Sequence, residues 1–440
     1  MMVSTLFVLL YFMSPFFLFW LYRLSGFNVR EVNIINLVVF SFFVFAYVGV
    51  LPLYFYWDEY RYVVGVVDRD IIISIFFASL WSFFAIILIF SLWVRVLFVP
   101  ARRCAGVDMR PFNHMESLVC ALAYLICGMA FLLYMRSVDQ VALFVALFET
   151  QEGVARARSS MTNAFDGRYH WYRLLISDFS VFLSYCFYAN YLKVKSRMSL
   201  GVFSVTFLLC CLFLLSSAQK APVVWYFLGL YLVYSVVVNK GIVSFKGGVF
   251  LGVSGLGVLV VLFVVFMGVE DFSLAVASVF SRLFTAGISA SYFYIKFFPD
   301  VEGFLWGRSL PNPGGIFPFD PYPLTKKIMD WRFAGNMERG VVGSSPTVFW
   351  GEAYANFSWF GVFFIPFLIG SVIYLYHYFV SFLEDTPFKV ALTVWLALFF
   401  KDVSVTGFSA FLINVTLFSF VFLVLFLVVL SNKLSFKIIR

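Results

Sequence analysis

The chain has 440 residues, of which 63% are hydrophobic and 12% charged, with a mean hydropathy of +0.96. A soluble domain carries roughly 25% charged residues, and no soluble fold of this length hides so much apolar surface, so most of the chain must have lipid as its solvent. The net charge of +8 reads as membrane topology, with nucleic acid a poor second.

The apolar runs have the length of spanning helices, and none shows the short, period-two pattern of barrel strands. The first, residues 3–22, lacks a charged leader and a small-residue cleavage site, so it reads as a retained span. Ten more spans are expected at 34–56, 71–98, 117–135, 179–192, 199–215, 222–238, 248–269, 358–379, 389–405 and 410–430. The chain is therefore expected to be one membrane-embedded domain, an all-α polytopic membrane protein of about eleven spanning helices, ten to twelve in all. The fifth and tenth are the shortest or most polar, and the tenth carries Lys401 and Asp402 near its end.

With the N-terminus outside, the short inside segments hold fourteen Lys and Arg and the short outside loops hold four, the asymmetry expected of cytoplasmic loops. Two long segments, 136–178 and 270–350, then fall outside. Both are rich in aromatic residues. Residues 270–298 read as an amphipathic helix lying on the membrane. LPNPGGIFPFDPYP, at 310–323, has too many Pro and Gly for helix or central strand and reads as a rigid irregular loop.

The six cysteines avoid both long loops and show no disulfide or zinc spacing. There is no Walker A sequence and no GxGxxG after a strand, so no nucleotide cofactor is expected. Asp68-Arg69-Asp70 matches a metal-binding DxD only by three residues at the start of a span. No metal is expected.

Chemistry is sought in the outside segments. In the first, Arg156, Arg158, Arg168 and Arg173 fall within eighteen residues, with His170 among them. The second carries Arg282, Arg308, Arg332 and Arg339. Guanidinium forks bind phosphate and carboxylate in two-point fashion and keep their charge. Each loop's bases are nearly matched by acids, which favours local anion sites or ion pairs over a polyanion-binding patch. His170 suits proton abstraction from a hydroxyl; an interfacial histidine between Tyr169 and Trp171 is the plainer reading. Lys220, in LLSSAQKAPVVW, sits where two spans meet, as a snorkelling anchor or a pyrophosphate contact. Glu352 opens a late apolar run, and acids at membrane depth are functional or paired.

That late run, with Ser345, Pro346, Thr347, Gly351, Glu352, Tyr354, Asn356, Phe357, Gly361, Val362 and Gly370, resembles the C-terminal part of the bacterial oligosaccharide repeat-unit polymerases, the Wzy-type O-antigen polymerases. SSAQKAP resembles the family's Ser-Arg-Gly-Pro turn, with Lys220 and Ala221 where Arg and Gly are usual. Arg156–Gly167 and Arg332–Gly343 fit the Arg-x10-Gly pattern of some members, one in each long loop. The resemblance implies a GT-C-like glycosyltransferase acting on undecaprenyl-pyrophosphate-linked oligosaccharides, with a chain-length regulator protein as a possible partner. It implies Arg156, Arg168, Arg173, Lys220, Arg282, Arg332 and Arg339 as pyrophosphate or sugar binders, and His170 and Glu352 as competing bases. Tyr169, Trp171, Trp331 and Trp350 are candidates for stacking on sugars. An O-antigen ligase would share this chemistry. A lipid-oligosaccharide flippase would show internal repeats and midplane charges, and neither is evident.

Overall fold

The computed structural model describes residues 2–57, 65–97, 109–148, 151–162, 165, 169–267, 271–333 and 343–438. The protein is an all-helical, multi-pass membrane protein; among the described residues its only β pairing is an isolated bridge between Glu31 and Ile242. In chain order the main helices are α1 (Met2–Leu24), α2 (Ile34–Tyr54), α3 (Arg69–Leu97), α4 (His114–Arg136), α5 (Ala142–Phe148), α6 (Gln151–Met161) and α7 (169–194). Then follow α8 (Arg197–Leu215), α9 (Lys220–Val237), α10 (Phe245–Met267), α11 (Phe272–Phe297), α12 (Leu324–Arg332), α13 (Phe349–Ser381), α14 (Pro387–Phe400) and α15 (Val415–Ile438).

Among the described residues nine helices are long and apolar enough to cross a membrane, against the eleven expected. Three expected spans are not among the nine, those of α7, α10 and α14, whereas α11, expected on the surface, is; for α7 and α14 the reason is helix length. The apolar part of α7, Ser180–Val194, has 15 residues and α14 has 14; at 1.5 Å per residue α14 covers about 21 Å, short of a hydrocarbon core of about 30 Å. Both are buried on nearly every face. They need no lipid-facing length because other helices surround them, and α14 gains reach through a 3₁₀ turn, Lys401–Ser404.

The helix in the second long segment forms, but it does not lie on a membrane surface along one apolar stripe. Ile288 to Tyr294 are consecutively buried, the signature of a helix enclosed by protein. Its contacts keep it at one end of the bundle. Gly49, near the end of α2, lies against the Phe284 carbonyl and Ile288. Gly287 abuts Ser404 and Val405, and the Tyr292 hydroxyl accepts from the amides of Val67 and Asp68, just before α3. The middle of α11 thus packs against the end of α2, the turn after α14 and the chain just before α3.

Both long segments gather at this same end. The Arg158 guanidinium donates to the Ala218 carbonyl between α8 and α9, and the Leu143 amide donates to Ser216 O at 3.1 Å. At the opposite end Arg110 pairs with Glu116 and Glu384, and Lys389 with Asp385. Asn113 caps α4 there through a reciprocal box with Glu116.

Candidate functional site

At the end where the long segments meet, a cavity of about 570 Å³ opens between α4, α7, α9, α14 and the start of α15. Tyr169, Tyr172, Arg173 and Ile176 line it from α7, at the i, i+3, i+4, i+7 spacing of one helical face. Tyr134, Trp225, Tyr226 and Trp395 add aromatic walls, and Ser216, Ser217 and Gln219 supply polar groups from the α8–α9 junction. Its charged groups are Arg173, Asp178 and Asp402.

A local irregularity brings the first two together. Five residues of regular helix turn through about 500°, which leaves the fifth about 140° away from the first. Between Arg173 and Asp178 the helix is a π-turn, Leu174–Phe179; this wider i→i+5 winding closes most of that angle, and such turns recur at functional sites. Asp178 lies just above the apolar part of α7 and is half-buried. Burial pushes its carboxyl up to about 6, with the Arg173 charge pulling the other way. Asp402, across the cavity, is paired with Lys401, whose ammonium sits 4.2 Å from the centre of the Trp225 ring.

Three cations near this cavity lie close enough for their charges to act on one another. Arg158 comes from α6, Lys220 from the first turn of α9, and Arg282 from α11. The charges of Arg158 and Arg282 both act on Lys220. Burial, and then the Arg282 charge, draw the Arg158 pKa down from its ordinary value. Arg158 Nε is buried without a partner among the described residues. The segment from Ser216 to Lys220 joins the two features: Ser216, Ser217 and Gln219 face the cavity, while Ala218 takes the Arg158 bond. Ala218 holds a left-handed φ of 50°, a costly conformation for a residue with a Cβ, and it turns the chain between α8 and α9.

Of the expected site residues, Arg173 and Tyr169 line the cavity and Lys220 and Arg282 belong to the cation cluster. Arg156 is exposed on α6. Arg168, Arg339 and Gly167 lie outside the described residues. Arg332 stacks 4.0 Å above the Phe293 ring. Phe293 is eleven residues along α11 from Arg282, about 16 Å of helix, so Arg332 stands apart from the cluster. His170 is exposed and is not among the cavity-lining residues, although its neighbours Tyr169 and Tyr172 are. Trp350 is wholly buried in the core, where no sugar reaches it, and Trp331 packs edge-on against Phe293 and Phe297. The Asp68-Arg69-Asp70 triplet is a helix start: Asp68 Oδ1 accepts from the Asp70 amide at 2.8 Å.

Glu352, the other expected base, is held in a network of hydrogen bonds. It is 5% exposed, accepts from Ser309 Oγ at 2.6 Å and from the Ser409 amide at 2.9 Å. One turn on, Asn356 donates to Ser309 Oγ at 2.8 Å and accepts from the Gly307 amide at 2.9 Å. These two side chains clasp the second long segment to α13 and to the turn before α15. Helix α13 breaks just beyond, where Ser358 takes φ 57°. Gly361 sits against the Ala353 carbonyl and Gly407 against the Glu352 carboxylate, and a Cβ at either would overlap those atoms.

No family model matches the chain, and comparison with curated proteins and with solved structures likewise gives no match. The site is therefore read from its own geometry. Asp178, Trp225 and Trp395 escaped the sequence reading because they fall in or beside apolar runs, where an aromatic is unremarkable. An acid beside the first residue of a span, as in Ser177-Asp178-Phe179, was the available signal for Asp178.

Proposed function

We propose that the protein is a glycosyltransferase that polymerises undecaprenyl-pyrophosphate-linked oligosaccharide repeat units on the periplasmic face of the bacterial inner membrane. The observation that carries this reading is the meeting of Arg158, Lys220 and Arg282, from three separate segments, beside an aromatic-walled polar cavity. Two guanidinium groups and an ammonium within reach of one another suit a polyanionic group of a substrate. A diphosphate suits this role, since guanidinium and ammonium groups stabilise it as it gathers charge on leaving. Aromatic faces interspersed with hydroxyls and amides suit sugar rings. The lipid-pyrophosphate donor carries its own activation, so no nucleotide is needed. The resemblance in the Ser345–Gly370 run and the SSAQKAP turn supports the same reading.

The test is deletion of the gene in its host, followed by electrophoresis of the surface polysaccharide. Collapse of the chain-length ladder to single repeat units is the expected result, restored by the wild-type gene but not by the Arg158→Ala/Arg282→Ala double variant. An unchanged ladder on deletion would remove the proposal. A ligase would instead need the lipid A core acceptor, and would build no ladder from lipid-linked units alone.

A further inference from the structure

The clustered cations account for the leaving group and leave the acceptor's proton without a destination. Asp178 offers one. It faces the cavity and, among the described residues, neither accepts a hydrogen bond nor forms an ion pair within 4 Å. Buried carboxylates with a structural role are saturated with donors, as Glu352 is. Asp178 is held instead at a π-turn, beside aromatic walls that would grip a sugar ring. The cavity volume falls within the range of about 300–1,000 Å³ that encloses small ligands, enough for the end of an oligosaccharide.

Resting on the glycosyltransferase reading, we infer that the cavity is the acceptor-sugar subsite and that the Asp178 carboxylate takes the proton from the attacking hydroxyl. In that step a lone pair on the hydroxyl oxygen forms the new bond to the anomeric carbon of the donor. The bond from that carbon to the diphosphate oxygen breaks, and its electron pair leaves on the diphosphate beside Arg158, Lys220 and Arg282. The hydroxyl proton passes to Asp178 and then to water. Nothing is oxidised or reduced.

The charged and titratable groups around Asp178 set its behaviour. Arg173 and Tyr169 lie on its own helix, Tyr134 on α4, Tyr226 on α9, and Asp402 faces it from the turn after α14. Asp402 is committed to Lys401, so among the described residues lining the cavity Arg173 is the cation left to attend the Asp178 charge. A carboxyl near 6 is ionised and able to accept a proton at neutral pH, yet is a stronger base than an ordinary aspartate. Its activity should be present above that value and fade as pH falls through it.

The experiment uses the full-length protein in proteoliposomes, with lipid-linked oligosaccharide extracted from the host strain lacking the gene. Elongation is measured from pH 5 to 8, and retention of the lipid-linked substrate is measured separately. Asp178→Asn is expected to lower the elongation rate at pH 7 about a hundredfold or more with substrate retention unchanged. Asp178→Glu should recover part of the rate with a shifted pH profile, which also shows that the site folds. Arg158→Ala/Arg282→Ala should instead lose substrate retention. Wild-type elongation by Asp178→Asn, or a wild-type profile flat through pH 6, overturns the inference while the glycosyltransferase reading survives. Absence of any elongation by the wild-type protein overturns both.

Discussion

The protein holds two carboxylates near the same end of its bundle, Glu352 buried and Asp178 half-buried, and treats them in opposite ways. Glu352 sits in a closed clasp, with Ser309 and Ser409 donating to it. Asp178 opens into a cavity and receives no hydrogen bond from a described residue. The first holds a loop in place; the second is left with chemical capacity to spare. Burial alone therefore does not mark a functional acid here. What distinguishes the two is whether the surrounding donors have already used the carboxylate's lone pairs.

The largest expected effect comes from breaking the clasp. Glu352→Ala leaves the Ser309 hydroxyl and the Ser409 amide unpaired in a buried site, at about 1–3 kcal/mol each. The folded protein should lose stability by roughly the sum, seen as a lowered unfolding temperature in detergent and poor recovery from membranes. Gly407→Ala should act alike, because its Cβ overlaps the same carboxylate. If Glu352→Ala leaves stability intact but abolishes elongation, the two acids have been assigned the wrong way round.

Next in size are the cations. Arg158→Ala should lower elongation about a hundredfold, the usual consequence of removing one donor to a developing anion, with stability little changed. Arg332→Ala should leave elongation near wild type, since its guanidinium is stacked on Phe293, well away from the cluster. Equal losses for both, measured as ladder length in the complemented deletion strain, would break the distinction drawn between them. A smaller effect belongs to the cavity wall. Trp225→Ala, at a partly buried residue of the wall, should weaken acceptor use roughly tenfold, in line with about 0.5–1.5 kcal/mol for an aromatic contact, as a rise in KM rather than a fall in kcat.

The sequence made the helices legible because length and apolarity are local properties. Each expected span has a helix within it, but α7, α10 and α14 are not among the nine that are long and apolar enough to cross, whereas α11, read as a surface helix, is. Hydropathy measures how apolar a segment is, and lipid and protein interiors are both apolar, so it does not separate them. The site was legible in type but not in membership. Arginines from two long segments were expected to meet, and two do, yet Arg158 took the place of Arg156. Two residues apart on a helix is a rotation of about 200°, and only the Ala218 carbonyl shows which of the two arginines faces inward. Asp178 depended on a π-turn, which no residue pattern announced. The Glu352–Asn356 run was conspicuous as a motif, and its side chains bond the second long segment to α13.

The smallest expected effect is also the sharpest test of orientation. His170 follows Tyr169 by one residue, a rotation of about 100° on a helix, which carries it off the face shared by Tyr169, Tyr172 and Arg173. It is exposed. No proton leaving a hydroxyl inside the cavity has a direct path to its ring. His170→Ala should therefore keep elongation within about twofold of wild type, the margin of a surface substitution worth no more than about 0.5 kcal/mol. A loss comparable to that expected for Asp178→Asn would mean that α7 presents its other face to the substrate. The cavity between Arg173 and Asp402 would then be a packing void, and the acceptor would bind outside it, on the side where His170 and Trp171 stand.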